Sequence, residues 1–231
     1  LDGVEVVDAA DSDPHSRRGI DQDYAVALIS LPALLGLERS ELPVARAYLR
    51  PASADAARWA LRIGPAERPR VGIVWGGRTK PDQRRSVPYA ELTALFNRQG
   101  VKWYSLQVGP QQQDIPRIGN AALESLGPDL TDFAETAAAM VNLERIITID
   151  TAVAHLAGAL GLPTWLMLPR VSDWRWAATD AQAASAWYPS VQIVRQGAAG
   201  GWAEVVEQVG ANIDMLADGE PADLQWGNRV V

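Results

Sequence analysis

The chain has 231 residues, 48% of them apolar, and a formal net charge of −7. That length and apolar content suffice for one large domain or two modest ones with a real core, and the acidic balance excludes nucleic-acid binding by a general basic surface. The absence of cysteine excludes disulfides, thiolate metal sites and a cysteine nucleophile, and two histidines are too few for a His-rich metal centre.

No apolar run reaches bilayer length, and no signal peptide is visible. A chain free of cysteine fits a reducing compartment, so a cytoplasmic location is expected. The sequence opens on Leu1 rather than Met, and further residues are expected upstream. Charge is distributed unevenly. Arg68, Arg70, Arg78, Lys80, Arg84 and Arg85 face only Asp82 between residues 68 and 85. A basic segment in an acidic protein suits a small anion, although a solvated loop is the commoner use of such a run.

In chain order, residues 4–7 form a short apolar run, followed by an Asp/Ser/Pro-rich loop over 8–14. Residues 24–29 read as a buried strand. Ser30-Leu31-Pro32 starts a short helix through Leu35, closed by Gly36. Residues 42–49 are irregular. Ser53 is expected to cap a helix that runs to Ile63 and stops at Gly64-Pro65. From Val71 the pattern is regular. Strands are expected over 71–75, 101–106, 145–149, 163–168 and 191–194, and helices over 88–97, 130–141, 151–160 and 202–216. Phe133, Ala137 and Met140 fall at helical spacing, with Asp129 or Thr131 as the expected cap and Asp132 in the first turn. Strands alternating with helices mean βαβ units and a doubly wound parallel sheet. The class is therefore α/β.

Ligands of such sheets sit at the carboxyl ends of the strands. Here those ends are Trp75-Gly76-Gly77, Gln107-Val108-Gly109, Asp150-Thr151 and Leu168-Pro169. The most informative of them is the strand–helix junction at Asp150-Thr151. A helix N-terminus presents unsatisfied N–H groups and a partial positive charge, which suits a phosphate. Asp and Thr are also favoured caps, and capping alone explains them as well. His155 lies four residues after Thr151 on the same helix face. Gly76-Gly77 allows close backbone approach or simply a tight turn. Arg85, just ahead of Pro88, has the fork geometry for a phosphate, or is an exposed loop arginine. Trp174 and Trp176 could stack on a sugar or base, or pack a long loop. The dinucleotide fingerprint, the Walker loop and the nucleophile elbow of α/β-hydrolases are all absent.

Several segments together resemble a known family. They are 71–77 (VGIVWGG), 84–88 (RRSVP), 104–110 (YSLQVGP), 130–137 (LTDFAETA), 149–161 (IDTAVAHLAGALG) and 173–176 (DWRW). The chain resembles the bacterial glycosyltransferase domain found C-terminal to tetratricopeptide repeats. That domain is similar to the lipopolysaccharide heptosyltransferases of glycosyltransferase family 9 and, more distantly, to O-linked N-acetylglucosamine transferases. The resemblance is strong over residues 71–216 and weak before them. It implies a GT-B architecture of two Rossmann-like domains, with a nucleoside-diphosphate sugar held mainly by the C-terminal one and no metal or other cofactor. Residues 1–65 are then a remnant of the N-terminal domain with a linker, 66–217 the nucleotide-sugar-binding domain and 218–231 a tail.

Carried over by position, the backbone at Thr151 and Ala152 would hold the pyrophosphate, and His155 would support it. Asp150 would lie near the transferred sugar. Arg85 would take the place of a phosphate-binding lysine. Trp75, Gly76, Gly77 and Gln107 would complete the donor site, with Gln107 near the nucleoside. The resemblance places the general base upstream of residue 1, so no catalytic residue is assigned. The implied partners are the nucleotide-sugar donor and a saccharide, lipid-linked glycan or protein acceptor, with no nucleic acid and no membrane span. Two other readings stay open: a non-catalytic nucleotide-sugar-binding or scaffold domain, and a sugar-nucleotide isomerase, which would need a carboxylate pair that the sequence does not show.

Overall fold

A computed structural model describes residues 26–27, 30–38, 47–78, 82–118, 123–176 and 185–220. Its contacts divide the chain into two compact units, Leu1–Leu42 and Pro43–Val231. In the first, the expected short helix is present as α1 (Leu31–Leu34), with a proline in its first turn. The expected strand over 24–29 is not formed at Val26 and Ala27, which are exposed and in no regular element. The remainder of that strand, the run over 4–7 and the tail beyond Glu220 lie outside the described residues.

The second unit is a six-stranded parallel sheet. Its strands are β1 (Arg70–Ile73), β2 (Lys102–Ser105), β3 (Leu123–Ser125), β4 (Arg145–Ile149), β5 (Thr164–Leu168) and β6 (Val191–Arg195). Their order is β3-β2-β1-β4-β5-β6. Gly72 of β1 lies between Tyr104 of β2 and Ile146 of β4, which fixes the central register. Every residue of β4 and β5 is buried, Arg145, Thr148 and Thr164 included, as central strands covered on both faces must be.

Helices α3 (Tyr89–Phe96), α4 (Ile115–Ile118) and α7 (Ala203–Ala217) contribute to one layer of the core, with Trp75, Trp103, Trp165 and Val209. Helices α2 (Ser53–Ile63), α5 (Phe133–Met140) and α6 (Ala152–Leu160) contribute to a second layer, with Tyr104, Leu106 and Ile146. Glu135 of α5 accepts from Trp59 Nε1 at 2.6 Å and from Arg58 at 2.7 Å, which ties α2 to α5. Helix α2 is thus part of this unit. Among the described residues, no helix is long and apolar enough to cross a membrane.

Several local expectations change. Ser53 is the first helical residue, and Ala52 is the cap, without a side-chain bond. Helix α5 starts later than expected, because Asp132 turns extended and its carboxylate accepts the Glu135 N–H at 2.8 Å. Asp132, not Asp129 or Thr131, is therefore the cap. That start also turns Phe133 outward, 61% exposed, while Ala137 and Met140 are buried. Strand β3 was not expected. Its three residues, Leu-Glu-Ser, carry no apolar pattern of their own.

Candidate functional site

The strand order sets the site. The chain leaves β1 toward β2 and leaves β4 toward β5, so the connections diverge and open a crevice beyond the ends of β1 and β4. Two segments line it: the turn Trp75-Gly76-Gly77 and the junction Asp150-Thr151.

Gln107 holds the turn in place. Its Oε1 accepts from the Trp75 and Gly76 N–H groups at 3.2 and 2.9 Å. Its Nε2 donates to the Gly76 and Val108 carbonyls at 3.0 and 2.8 Å. This buried side chain is saturated by backbone, so it acts by fixing the turn. The glycines serve space rather than torsion. A Cβ on Gly76 would lie 2.4 Å from Gln111 Cγ, and one on Gly77 would lie 3.3 Å from Arg85 Nε. The Gly77 N–H donates to Ser86 Oγ at 3.2 Å, and its carbonyl accepts from Gln111 at 3.0 Å.

Arg85 ends a short 3-10 helix over Gln83–Arg85 and reaches across the crevice. Its Nη1 donates to the Asp150 carbonyl at 3.0 Å and its Nη2 to the Arg78 carbonyl at 3.2 Å. Nε is buried beneath Gly77 without a hydrogen-bond partner. Among the described residues, these two bonds leave three of the five guanidinium N–H groups uncommitted, one of them the buried Nε–H.

At the junction, Thr151 is the N-cap of α6 by backbone geometry, yet its side chain makes no capping hydrogen bond. The Thr151 hydroxyl pairs instead with that of Thr148 at 3.3 Å. Capping therefore does not account for Asp150 or Thr151. Asp150 Oδ1 accepts from the Trp176 indole N–H at 2.8 Å. Trp176 is only 1% exposed, so it is not a stacking platform. Its ring is already occupied by His155, stacked at 4.9 Å with an interplanar angle of 25°. His155 Nδ1 lies 3.2 Å from the Tyr188 hydroxyl. Burial is the main cause that holds the imidazole below its ordinary pKa; Arg175 adds to the lowering, while Asp150 and Asp173 oppose it. Trp174 is 54% exposed, with the Arg175 guanidinium over its ring at 5.3 Å and Trp187 edge-on at 6.2 Å.

A cleft of about 680 Å³ lies beside the junction. It is lined by Trp75, Gly76, Gly77, Ser86, Tyr89, Gln111, Asp114 and Trp202 among others, but not by Asp150, Thr151 or His155. The structure thus brings Trp75, Gly76, Gly77, Arg85, Gln107, Asp150, Thr151, Ala152 and His155 to one rim. Ser86, Gln111 and Tyr188 join them as partners that the sequence did not single out for this role. They lie 9, 34 and 33 positions from their partners Gly77, Gly77 and His155, so sequence spacing does not mark them.

Two E. coli enzymes and one Veillonella parvula protein have similar structures. ADP-heptose LPS heptosyltransferase II of E. coli matches with a TM-score of 0.56 at 14% identity, over 77% of this chain and 55% of its own. The chain has a heptosyltransferase-like fold. The glycosyl transferase family 9 structure from Veillonella parvula matches at 0.54 and 14%, over 76% of this chain and 56% of its own. E. coli heptosyltransferase WaaC, solved with ADP, matches at 0.51 and 14%, over 77% of this chain and 53% of its own. Protein FlbA of Caulobacter vibrioides is 28% identical over 180 residues, which is 74% of this chain and 29% of FlbA. The chain therefore spans about half the length of the solved transferases and less than a third of FlbA. No protein-family model matches it.

Proposed function

We propose that this chain is the donor-binding part of a metal-independent glycosyltransferase that uses a nucleoside-diphosphate sugar. The observation that carries the reading is the meeting of Arg85 with the head of α6. A guanidinium with spare donors is held against the Asp150 carbonyl, beside a helix N-terminus whose N-cap side chain makes no capping hydrogen bond. Both features favour an anion, and together they favour a pyrophosphate.

The chemistry that follows is displacement at the anomeric carbon. The acceptor oxygen forms the new bond, the glycosidic oxygen of the diphosphate takes the departing electron pair, and the acceptor proton goes to a base. Charge develops on the leaving diphosphate, where Arg85 and the α6 dipole would stabilise it without a metal ion. Asp150 Oδ1 is held by Trp176, which leaves Oδ2 to accept from a sugar hydroxyl. Trp174 is the exposed aromatic at the rim that could cover the sugar or base. A base and an acceptor site would come from elsewhere in the protein, and the fraction of the transferases spanned favours that division. The tetratricopeptide-repeat setting and the cytoplasmic location belong to the same proposal.

A thermal-shift screen of ADP-, GDP- and UDP-sugars tests the donor, with a CMP-sugar, which carries a single phosphate, as the control. A ligand that binds only the folded state raises the transition temperature. A rise with one nucleoside-diphosphate sugar that is lost in Arg85→Ala supports the reading. No rise with any of the three diphosphate sugars overturns it. The alternative, a binding or scaffold domain without catalysis, predicts the same rise but no sugar release in the intact protein.

A further inference from the structure

Helix α6 carries a glycine in its interior, where glycine weakens a helix. Gly158 has a neighbour that accounts for it: a Cβ there would lie 2.2 Å from Cγ of Tyr188. The tyrosine ring is admitted against the helix backbone, and its hydroxyl comes within 3.2 Å of His155 Nδ1. Tyr48 lies close enough to Tyr188 to act on its hydroxyl. Tyr48 is itself anchored to α6, its N–H donating to the Ala159 carbonyl at 2.9 Å. Trp176 clamps the opposite face of the imidazole. His155 is thus held by ring contacts on two sides and by one hydroxyl.

Side chains of a helix lean toward its N-terminus, so His155 covers the first turn of α6. An anion there can use only a donor, and a neutral imidazole has one donor nitrogen and one acceptor. Which nitrogen keeps the proton is set by the hydrogen bond that the other makes. We propose that Tyr188 is a positioning residue whose hydroxyl donates to His155 Nδ1 and so leaves Nε2–H as the donor toward an anion at the head of α6. This rests on the anion-site reading above. Burial disfavours the charged form of His155, and burial pushes the Tyr188 hydroxyl up to about 12, so it keeps its proton. The groups facing the imidazole are Asp150, Asp173, Arg175 and Tyr188.

The chain has two histidines, so a His15→Gln background leaves one imidazole to observe. Long-range proton–nitrogen NMR of that full-length chain is expected to show a protonated Nε2 and a hydrogen-bonded, unprotonated Nδ1. A proton on Nδ1 overturns the proposal. Tyr188→Phe keeps the ring beside Gly158 and removes only the hydroxyl. With ADP, GDP and UDP as probes, the affinity of whichever binds the wild type is expected to fall about three- to tenfold, the size of one lost hydrogen bond. His155→Gln, which places an amide N–H near the Nε2 position, is expected to retain more affinity than His155→Asn. Unchanged affinity in Tyr188→Phe, with only a lower melting temperature, shows a packing role and overturns the proposal. If the wild type binds none of the three, the anion-site reading fails, and the NMR spectrum still decides the orientation of His155.

Discussion

The Arg85 guanidinium donates to the backbone carbonyl of Asp150 across 3.0 Å, joining residues sixty-five positions apart in sequence. The bond spans the crevice between β1 and β4 and places a fixed positive charge beside the start of α6. Arg85→Ala is expected to weaken nucleoside-diphosphate binding by about tenfold or more, since a charge-assisted hydrogen bond contributes about 1.5–3 kcal/mol. Arg85→Lys is expected to recover part of the loss, because lysine keeps the charge without the fork. Calorimetric titration checks both, and equal affinities for wild type and Arg85→Ala would remove Arg85 from the site.

Gln107 makes its contribution through the turn. Gln107→Leu strips partners from the buried Trp75 and Gly76 N–H groups, so a loss of about 2–3 kcal/mol in folding stability is expected. Urea denaturation measures it. Stability unchanged within error would mean that the turn holds without its clamp.

Trp176→Phe keeps an aromatic ring against His155 and deletes the N–H that Asp150 accepts. The expected cost is about 1–3 kcal/mol, from the lost charge-assisted bond and the smaller ring. Chemical denaturation gives the stability term. A separate drop in donor-sugar affinity, but not in affinity for the free diphosphate, would mark Asp150 as a sugar contact.

Gly158→Ala sets two effects against each other. Alanine favours the helix by about 1 kcal/mol, while overpacking against Tyr188 costs about 1–3 kcal/mol. Net destabilisation is expected, and it should vanish in Gly158→Ala/Tyr188→Ala relative to Tyr188→Ala alone. Melting temperatures of the four proteins close this cycle. Additive effects would show that the tyrosine ring does not press on the helix.

His155 gives a pH dependence with a definite sign. Its folded pKa is below its ordinary value, so between the two values the unfolded chain binds more protons than the folded one. Its presence therefore lowers stability as pH falls through about 6.5 and below, and its effect is absent above that value. The stability difference between wild type and His155→Gln is expected to shift against the wild type on acidification from about pH 7.5 to 5.5. Denaturation curves across that range measure it, and a flat difference would contradict a buried neutral imidazole.

Legibility followed the local pattern. Strand β4 has the expected bounds because Ile146-Ile147-Thr148-Ile149 is a continuous β-branched run closed by Asp150. The rim residues were readable because glycines and caps sit where strands must end. Strand β3 was not readable, since its three residues are specified by the neighbouring β2 edge rather than by their own side chains. Trp174 and Trp176 have the same composition around them, and only tertiary packing buries one and exposes the other. Tyr188 is an aromatic in a loop, and its partner Gly158 lies thirty residues earlier. A side chain that is absent leaves no pattern pointing to the ring that uses the space.

The central pairing of β1 with β4 joins Val71 to Arg145 and brackets two whole strand–helix excursions. Contacts of such long sequence separation form late, after costly loop closure. Neither the Gly76-Gly77 turn nor the α6 head can face the other until that pairing is made. Whatever this crevice binds would therefore find it only in a chain whose central strands are already paired.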